Sequence, residues 1–250
     1  MIDKRFMKSD DFGIHQFGYN NDVDAAETIW SGDGAFPWAD VGTNETTTIE
    51  SSDVKDDGDP AGVGLQTIQV TGLVNQTAAD FTTGKIVDET VVMNGTTAVT
   101  MTNLFSFIYR IRGLTAGSAA DNAGTLTAKH GTDDIAVMLP GENRTEMAVM
   151  VVPGFTRDGY AIKGAWVLSW YAFAAKTTTA YADMVLKGMG CGSSVWTPIA
   201  RAVVGQTAPL YHEFEVPTYL SPGCKVMLDA EAVSAANFPI SGGFVLKYEV

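Results

Sequence analysis

The sequence predicts an all-β protein: a jelly-roll-like antiparallel β-sandwich over 27–250, preceded by an extended N-terminal arm over 1–26. Two smaller packed sandwiches, meeting near 130–140, are the fallback. Three observations carry this. Apolar and polar residues alternate with period two through most of the chain past residue 60, as half-buried strands do. The chain holds 27 threonines and 26 glycines, which favour strands and turns over long helices. No segment of helical length keeps a 3.6-residue period.

The elements follow in order. Ala25-Ala26-Glu27-Thr28 is a weak start for a short helix. Ile68, Val70 and Gly72 alternate with Gln69 and Thr71. The runs 86–93 and 96–102 flank Asn94-Gly95, a hairpin signal because both turn residues must reach positive φ. Phe105, Phe107, Tyr109 and Ile111 share one face, and Ser106, Ile108, Arg110 and Arg112 the other. Leu126 lies in a short Thr-rich strand before His130-Gly131. Thr145, Met147, Val149 and Val151 form a run closed by Pro153. Tyr160, Ile162, Gly164, Trp166, Leu168 and Trp170 make one long alternating face. Tyr181 to Lys187 follows. The run 195–204 contains Pro198, which assigns it to an edge. His212, Phe214 and Val216, then Val226, Leu228 and Ala230, then Phe244, Leu246, Tyr248 and Val250 complete about ten strands.

The net charge is −13 and the pI near 4.5. That argues against nucleic acid or an anionic membrane as partner. The acidity is uneven: residues 1–60 hold 14 Asp/Glu against 4 Lys/Arg. Residues 1–26 read either as a solvated, partly disordered acidic tail or as an extended arm whose aromatics, Phe6, Phe12, Phe17 and Tyr19, dock on a neighbouring subunit. Met1-Ile2-Asp3-Lys4-Arg5 leads to no apolar leader segment. The longest apolar stretch, 164–175, is shorter than the ~20 residues a spanning helix needs. Cys191 and Cys224 are expected as reduced thiols.

No catalytic or cofactor motif emerges. His15, His130 and His212 are far apart, and there is no GxSxG, HExxH or P-loop. His212 reads as a packed ring on the apolar side of its strand. Gly188 to Gly192 precedes a strand, so it lacks the helix N-terminus that holds phosphate. Asp53, Asp56, Asp57 and Asp59 are the best of poor metal candidates. Lys55 stands at the third position of a calcium loop and Gly64 where the closing Glu belongs. A solvated acidic turn is the expected reading. Arg110 and Arg112 project from one strand face and call for carboxylate partners, in a surface ion pair or on the acidic arm of another subunit. Trp166 and Trp170, four apart, read as core rather than as a sugar platform.

The string Ile29-Trp30-Ser31-Gly32, the Thr-rich run 46–52 and Ile68-Gln69-Val70-Thr71-Gly72-Leu73 resemble a module of tailed-bacteriophage genomes, especially aquatic ones. The likeness continues through 89–100, 107–110, Ala116-Gly117-Ser118 and Asn122-Ala123-Gly124-Thr125-Leu126, covering about 27–128. Segment 75–84 is longer than the family's usual hairpin. The resemblance implies a virion structural component and offers no catalytic set. The expected role is a non-enzymatic, cofactor-free subunit that decorates or cements a capsid, located in the virion after assembly in the host cytoplasm. Its partners would be itself, as a homotrimer, and the major capsid protein or neighbouring virion proteins. A receptor- or carbohydrate-binding module of a tail or head fibre is the alternative, and a shell-forming capsid protein a further one. Against the shell protein stands the missing long helix of the usual tailed-phage shell fold.

Overall fold

The structure, a computed structural model, describes residues 13–32, 34–39, 46–74, 81–174, 180–205 and 209–250. Sixteen strands are described and no α-helix among those residues; a single 3₁₀ turn spans Phe81–Thr83. In chain order they are β1 (Gly13–Val23), β2 (Glu27–Thr28), β3 (Thr47–Ser51), β4 (Leu65–Val74), β5 (Lys85–Val92) and β6 (Val99–Thr100). Then come β7 (Phe105–Ala116), β8 (Leu126–His130), β9 (Asp133–Met138), β10 (Val149–Val151) and β11 (Gly164–Ala174). The last five are β12 (Tyr181–Met189), β13 (Thr197–Gly205), β14 (Leu210–Leu220), β15 (Lys225–Val233) and β16 (Phe238–Glu249).

The strands form four antiparallel sheets. One has the order β1-β16-β11-β14, and a second β10-β15-β12-β13 with β2 also on β15. Counting β2 and β10 as one strand position and numbering along the chain, these sheets read 1-8-3-6 and 2-7-4-5. This interleaving of early and late strands across two sheets is a jelly roll. The other two sheets, β6-β3-β8-β9 and β5-β4-β7, come wholly from residues 47–138. They pair their buried faces into a smaller sandwich inserted into the first.

The insertion interrupts one strand. β2 pairs with Asp229 and Ala230 of β15, and β10 continues along the same edge of β15 at Lys225 to Met227. Between them the Ile29 N–H donates to Leu228 O, the Leu228 N–H to Ala148 O and the Ala148 N–H to Ile29 O. The chain leaves the jelly roll at Trp30 and returns at Met147, which face each other in an antiparallel bridge. Gly18 of β1 packs directly over this neck. A Cβ there would collide with the Ile29 carbonyl oxygen and the Ala148 nitrogen.

The two sandwiches share one hydrophobic core. At their junction Trp38 stacks on Phe107 at 6.0 Å and 7°, and Trp196 lies 5.2 Å from Trp38. Tyr109 of β7 donates its hydroxyl to Val151 O of β10 at 2.8 Å. Burial pushes the Tyr109 phenol upward, so it stays a donor.

Several expectations need correction. Gly13–Val23 does not stand apart as an arm: β1 pairs along β16 from Gly13↔Lys247 to Val23↔Phe238. Its aromatics are thinly spaced, but the backbone ladder and buried Gln16, Gly18, Asn20 and Val23 fix it. Glu27-Thr28 is strand, not helix. Asn94-Gly95 is not a hairpin turn. β5 pairs with β4 and β6 with β3, so this turn carries the chain between sheets, with only Gly95 of the pair at positive φ (55°). The long face through Trp166 and Trp170 is broken by a register shift between Val167 and Ser169. The extra residue flips the phase, so Trp170 is buried and Trp166 exposed. His212 is exposed, because β14 is an edge strand that buries neither face. Pro198 does sit on an edge strand, next to a register shift at which Ile199 of β13 is the extra residue.

Gly18→Ala should destabilise the chain by about 1–3 kcal/mol, the usual cost of overpacking against backbone that cannot yield. Urea unfolding of the two proteins measures it, with Gly13→Ala, where a Cβ meets nothing, as the control expected to change little.

Candidate functional site

Two surfaces stand out: an arginine-lined junction and an open edge of the jelly roll. The four clustered aspartates do not form a third. Asp56 is fully buried. Its Oδ1 accepts from the Leu65 and Ala123 N–H groups, each at 2.8 Å. Its Oδ2 accepts from Ser51 Oγ at 2.6 Å and the Gly124 N–H at 2.9 Å. This is not a solvated turn: the carboxylate staples the end of β3, the start of β4 and the loop before β8. Asp53 accepts from the Lys55 N–H and Asp57 from the Asp59 N–H. Asp59 is the exposed end of the run. Among the described residues no group of three metal-ligating side chains converges.

Arg110 and Arg112 do share an exposed face of β7. Two further arginines join them. Arg144, in the segment leading back to the neck, pairs with Arg112 in an antiparallel bridge. Arg157, in the loop after β10, reaches Asp88 at 2.9 Å. Thr71 also donates to Asp88, at 2.6 Å. Among the described residues neither Arg110, Arg112 nor Arg144 forms an ion pair, although the Asp88 charge acts on Arg110 and opposes the lowering of its pKa. Burial lowers the Arg110 pKa, and repulsion from Arg112 and Arg144 lowers it further.

A cleft of 290 Å³ opens where β1 crosses the inserted sandwich, lined by Arg110, Arg144, Arg157, His15, Gln16 and Thr71 among others. His15 Nε2 lies 2.5 Å from the Tyr171 hydroxyl. Burial, then the Arg144 charge, lowers the His15 pKa. On the other side of Arg110 and Arg144 a shallower cleft of 670 Å³ is bordered by Arg112, Glu142 and Glu146. Burial lifts Glu142 to about 7, against the Leu139 N–H it accepts from and with a further push from Glu146.

Of the aromatics assigned to docking, Phe17 lines the first cleft and stacks on Tyr171 of its own chain at 6.5 Å. Tyr19 is half-buried on β1. Phe6 and Phe12 lie outside the described residues. Sequence reasoning missed His15, Arg144 and Arg157 as neighbours of Arg110. No spacing signals them, since β-pairing and the neck bring them together from four separate segments.

The second surface is the edge formed by β13 and β14, which face each other at the end of the jelly roll away from the neck. Val203 is 62% exposed, Tyr211 66% and Val216 83%. Tyr219 and Trp166 are partly exposed and pack at 4.8 Å, with Trp166 Nε1 3.4 Å from Glu249 Oε2. Unpaired strand edges carrying apolar side chains are templates for association.

Asp56→Ala should cost more than about 3 kcal/mol, since it strands three amides and a hydroxyl in the interior; chemical unfolding reads this directly. Glu142 gives a pH dependence of defined sign. Its folded pKa of about 7 exceeds the ordinary 4.5, so its contribution to stability is greatest below 4.5 and is lost as pH rises to 7. Glu142→Gln should therefore flatten the fall in melting temperature between pH 5 and pH 7 and raise stability at pH 8.

No family model matches this chain, and no curated protein matches it. Among solved structures it is similar to a chain from the structure of infectious bursal disease virus Gt strain, at 10% identity and a TM-score of 0.25, over 95% of this chain and 72% of that one. A mutant VP2 protein of infectious bursal disease virus, in derived T=1 particles, is similar at 11% identity and a TM-score of 0.26, over 91% of this chain and 55% of that one. At such scores the likeness adds nothing to what the topology and the surfaces carry.

Proposed function

We propose that the chain is a non-enzymatic structural subunit of a virion, an oligomeric jelly roll that decorates or cements a capsid. The observation that carries this is the asymmetry of the jelly roll's two edges. One edge, β1 with β2 and β10, is occupied by the neck and the inserted sandwich. The other, β13 and β14, presents Val203, Tyr211 and Val216 to solvent. Jelly rolls are an architecture of viral capsid domains, though also of lectins, and fold alone does not give function. The open apolar edge supplies the site: it suits contact between copies, with the inserted sandwich directed away from that contact. A homotrimer closes such contacts without growing filaments, and the tailed-phage resemblance implies the same state. The major capsid protein, or another virion protein, would then be the surface on which the oligomer sits.

One observation favours a second reading, a carbohydrate- or receptor-binding module of a fibre. Trp166, Tyr219 and Glu249 set exposed rings beside a carboxylate, the arrangement that stacks on a sugar ring and hydrogen-bonds its hydroxyls.

Light scattering should find the protein as a trimer at micromolar concentration. The double variant Val203→Lys with Val216→Lys should be monomeric, with an unchanged far-UV spectrum. Mass spectrometry and cryo-microscopy of the particles should place the chain on the outside of the head. A stable monomer both free and on particles would refute the oligomer. Location in a tail or head fibre would favour the second reading, and location within the shell itself would make the chain a capsid protein in its own right.

A further inference from the structure

The arginine-lined cleft is unusual for this chain. The protein carries −13 overall and has six arginines, yet Arg110, Arg112, Arg144 and Arg157 sit together. Among the described residues Arg157 is the one of the four that forms an ion pair, with Asp88. Burial first, then repulsion from Arg112 and Arg144, depresses Arg110. Among the described residues the carboxylates offset this without an ion pair to Arg110 or Arg144: Asp88 raises the Arg110 pKa, and Arg144 lowers that of Glu146 against the upward push of burial. Glu142 and Glu146 border the neighbouring cleft, but among the described residues neither pairs with an arginine. Glu142, raised to about 7 by burial, is partly protonated at neutral pH.

The guanidiniums are exposed to solvent, yet they do not diverge. Arg110 from β7, Arg144 from the segment before the neck and Arg157 from the loop after β10 converge on one 290 Å³ cleft. His15 and Gln16 of β1, with Thr71 of β4 and Thr145, add polar groups from both sandwiches. Guanidinium groups present paired N–H donors in a fork that matches the oxygens of a tetrahedral oxyanion, and such bonds are charge-assisted. An anion there would cancel the repulsion among the arginines. It would also draw together two sandwiches otherwise tied by the neck and the aromatic junction.

We propose that this cleft is a binding site for a phosphate or sulfate group, free or carried as an ester on a small molecule. The inference does not rest on the virion reading, since it uses neither the open edge nor the oligomer. The volume exceeds that of one tetrahedral ion, so the ester has room for the body that carries the group.

The test is calorimetry and thermal melting of the full chain with inorganic phosphate, inorganic sulfate, glucose 6-phosphate and glucose 6-sulfate. Each is compared with sodium chloride at equal ionic strength. Binding to the native state raises the melting temperature through mass action. At a hundredfold excess over Kd the expected rise is about 5 °C or more for a chain of this size. Arg110→Gln and Arg144→Gln should each weaken binding at least ~10-fold, while melting no lower than the parent without anion, because each relieves repulsion. Arg201→Gln, which removes a guanidinium paired with Glu231, should leave binding unchanged. A response to the inorganic ions alone supports the site as that of a structural ion; a response to the esters as well supports recognition of a phosphorylated or sulfated ligand. A shift no larger than that of chloride, or one that Arg201→Gln reduces as much as Arg144→Gln, overturns the proposal.

Discussion

The hydrogen bonds among Ile29, Ala148 and Leu228 hold the rest of the architecture in place. They splice β2 and β10 into one strand position although 118 residues are inserted between Ile29 and Ala148. Without this splice β15 would lose its outer neighbour, and the inserted sandwich would hang on two unpaired chain ends. Closing so long a loop costs only slowly rising entropy, and the neck repays it with a short antiparallel ladder extended by Trp30↔Met147. Gly18 matters for the same reason: only a residue without a side chain lets β1 of the facing sheet lie against that ladder.

The neck alone would leave the two sandwiches free to rock. Packing at the junction restrains them. Phe36, Trp38, Phe107, Tyr109 and Trp196 form a chain of ring contacts between 4.8 and 6.0 Å. Lys225 places its Nζ 5.2 Å from the Trp38 ring, an attraction between cation and ring face. Aromatic bodies bury large areas with defined geometry, so the junction is stiff where it is dry. Beside this dry contact lies the arginine cleft, where the same two bodies meet through a cluster of cations and the single Arg157–Asp88 ion pair described there. The molecule thus combines an apolar seam with an adjacent seam rich in cations.

Charge is distributed in the same uneven manner elsewhere. On the β10-β15-β12-β13 sheet of the jelly roll Lys187 pairs with Asp229 and Glu231, both at 3.0 Å, and Arg201 with Glu231 and Asp183. There the cations are answered. Burial raises the Asp229 pKa, and the Lys187 hydrogen bond works against that rise. In this network the cations form ion pairs, whereas among the described residues Arg110, Arg112 and Arg144 form none. The open edge of β13 and β14 shows a parallel contrast in apolar surface, buried everywhere in the core and left exposed at Val203 and Val216.

The all-β class was legible because period-two alternation follows from strand geometry alone. The strands at Phe105–Ala116, Val226–Ala230 and Phe244–Tyr248 could be read directly, and the edge position of Pro198 followed from its missing N–H. Arg110 and Arg112 were legible as one face for the same reason. What local chemistry could not encode was which strands meet. Asn94-Gly95 has the residues of a hairpin, yet its flanking strands find partners in different sheets. Trp166 and Trp170 keep an even spacing, yet one bulge sends them to opposite faces. Asp56 looks like one of four solvated carboxylates until the Ala123 and Gly124 amides close over it from 67 and 68 residues away. The arginine cleft is the strongest case. Its members come from β1, β7, the neck and the loop after β10, and only long-range pairing decides that they share a cleft. Sequence by itself determined the periodicity and hence the secondary structure; tertiary structure decided the neck, the open edge and the cleft, because non-local pairing depends on the packing of the whole chain rather than on any window of it.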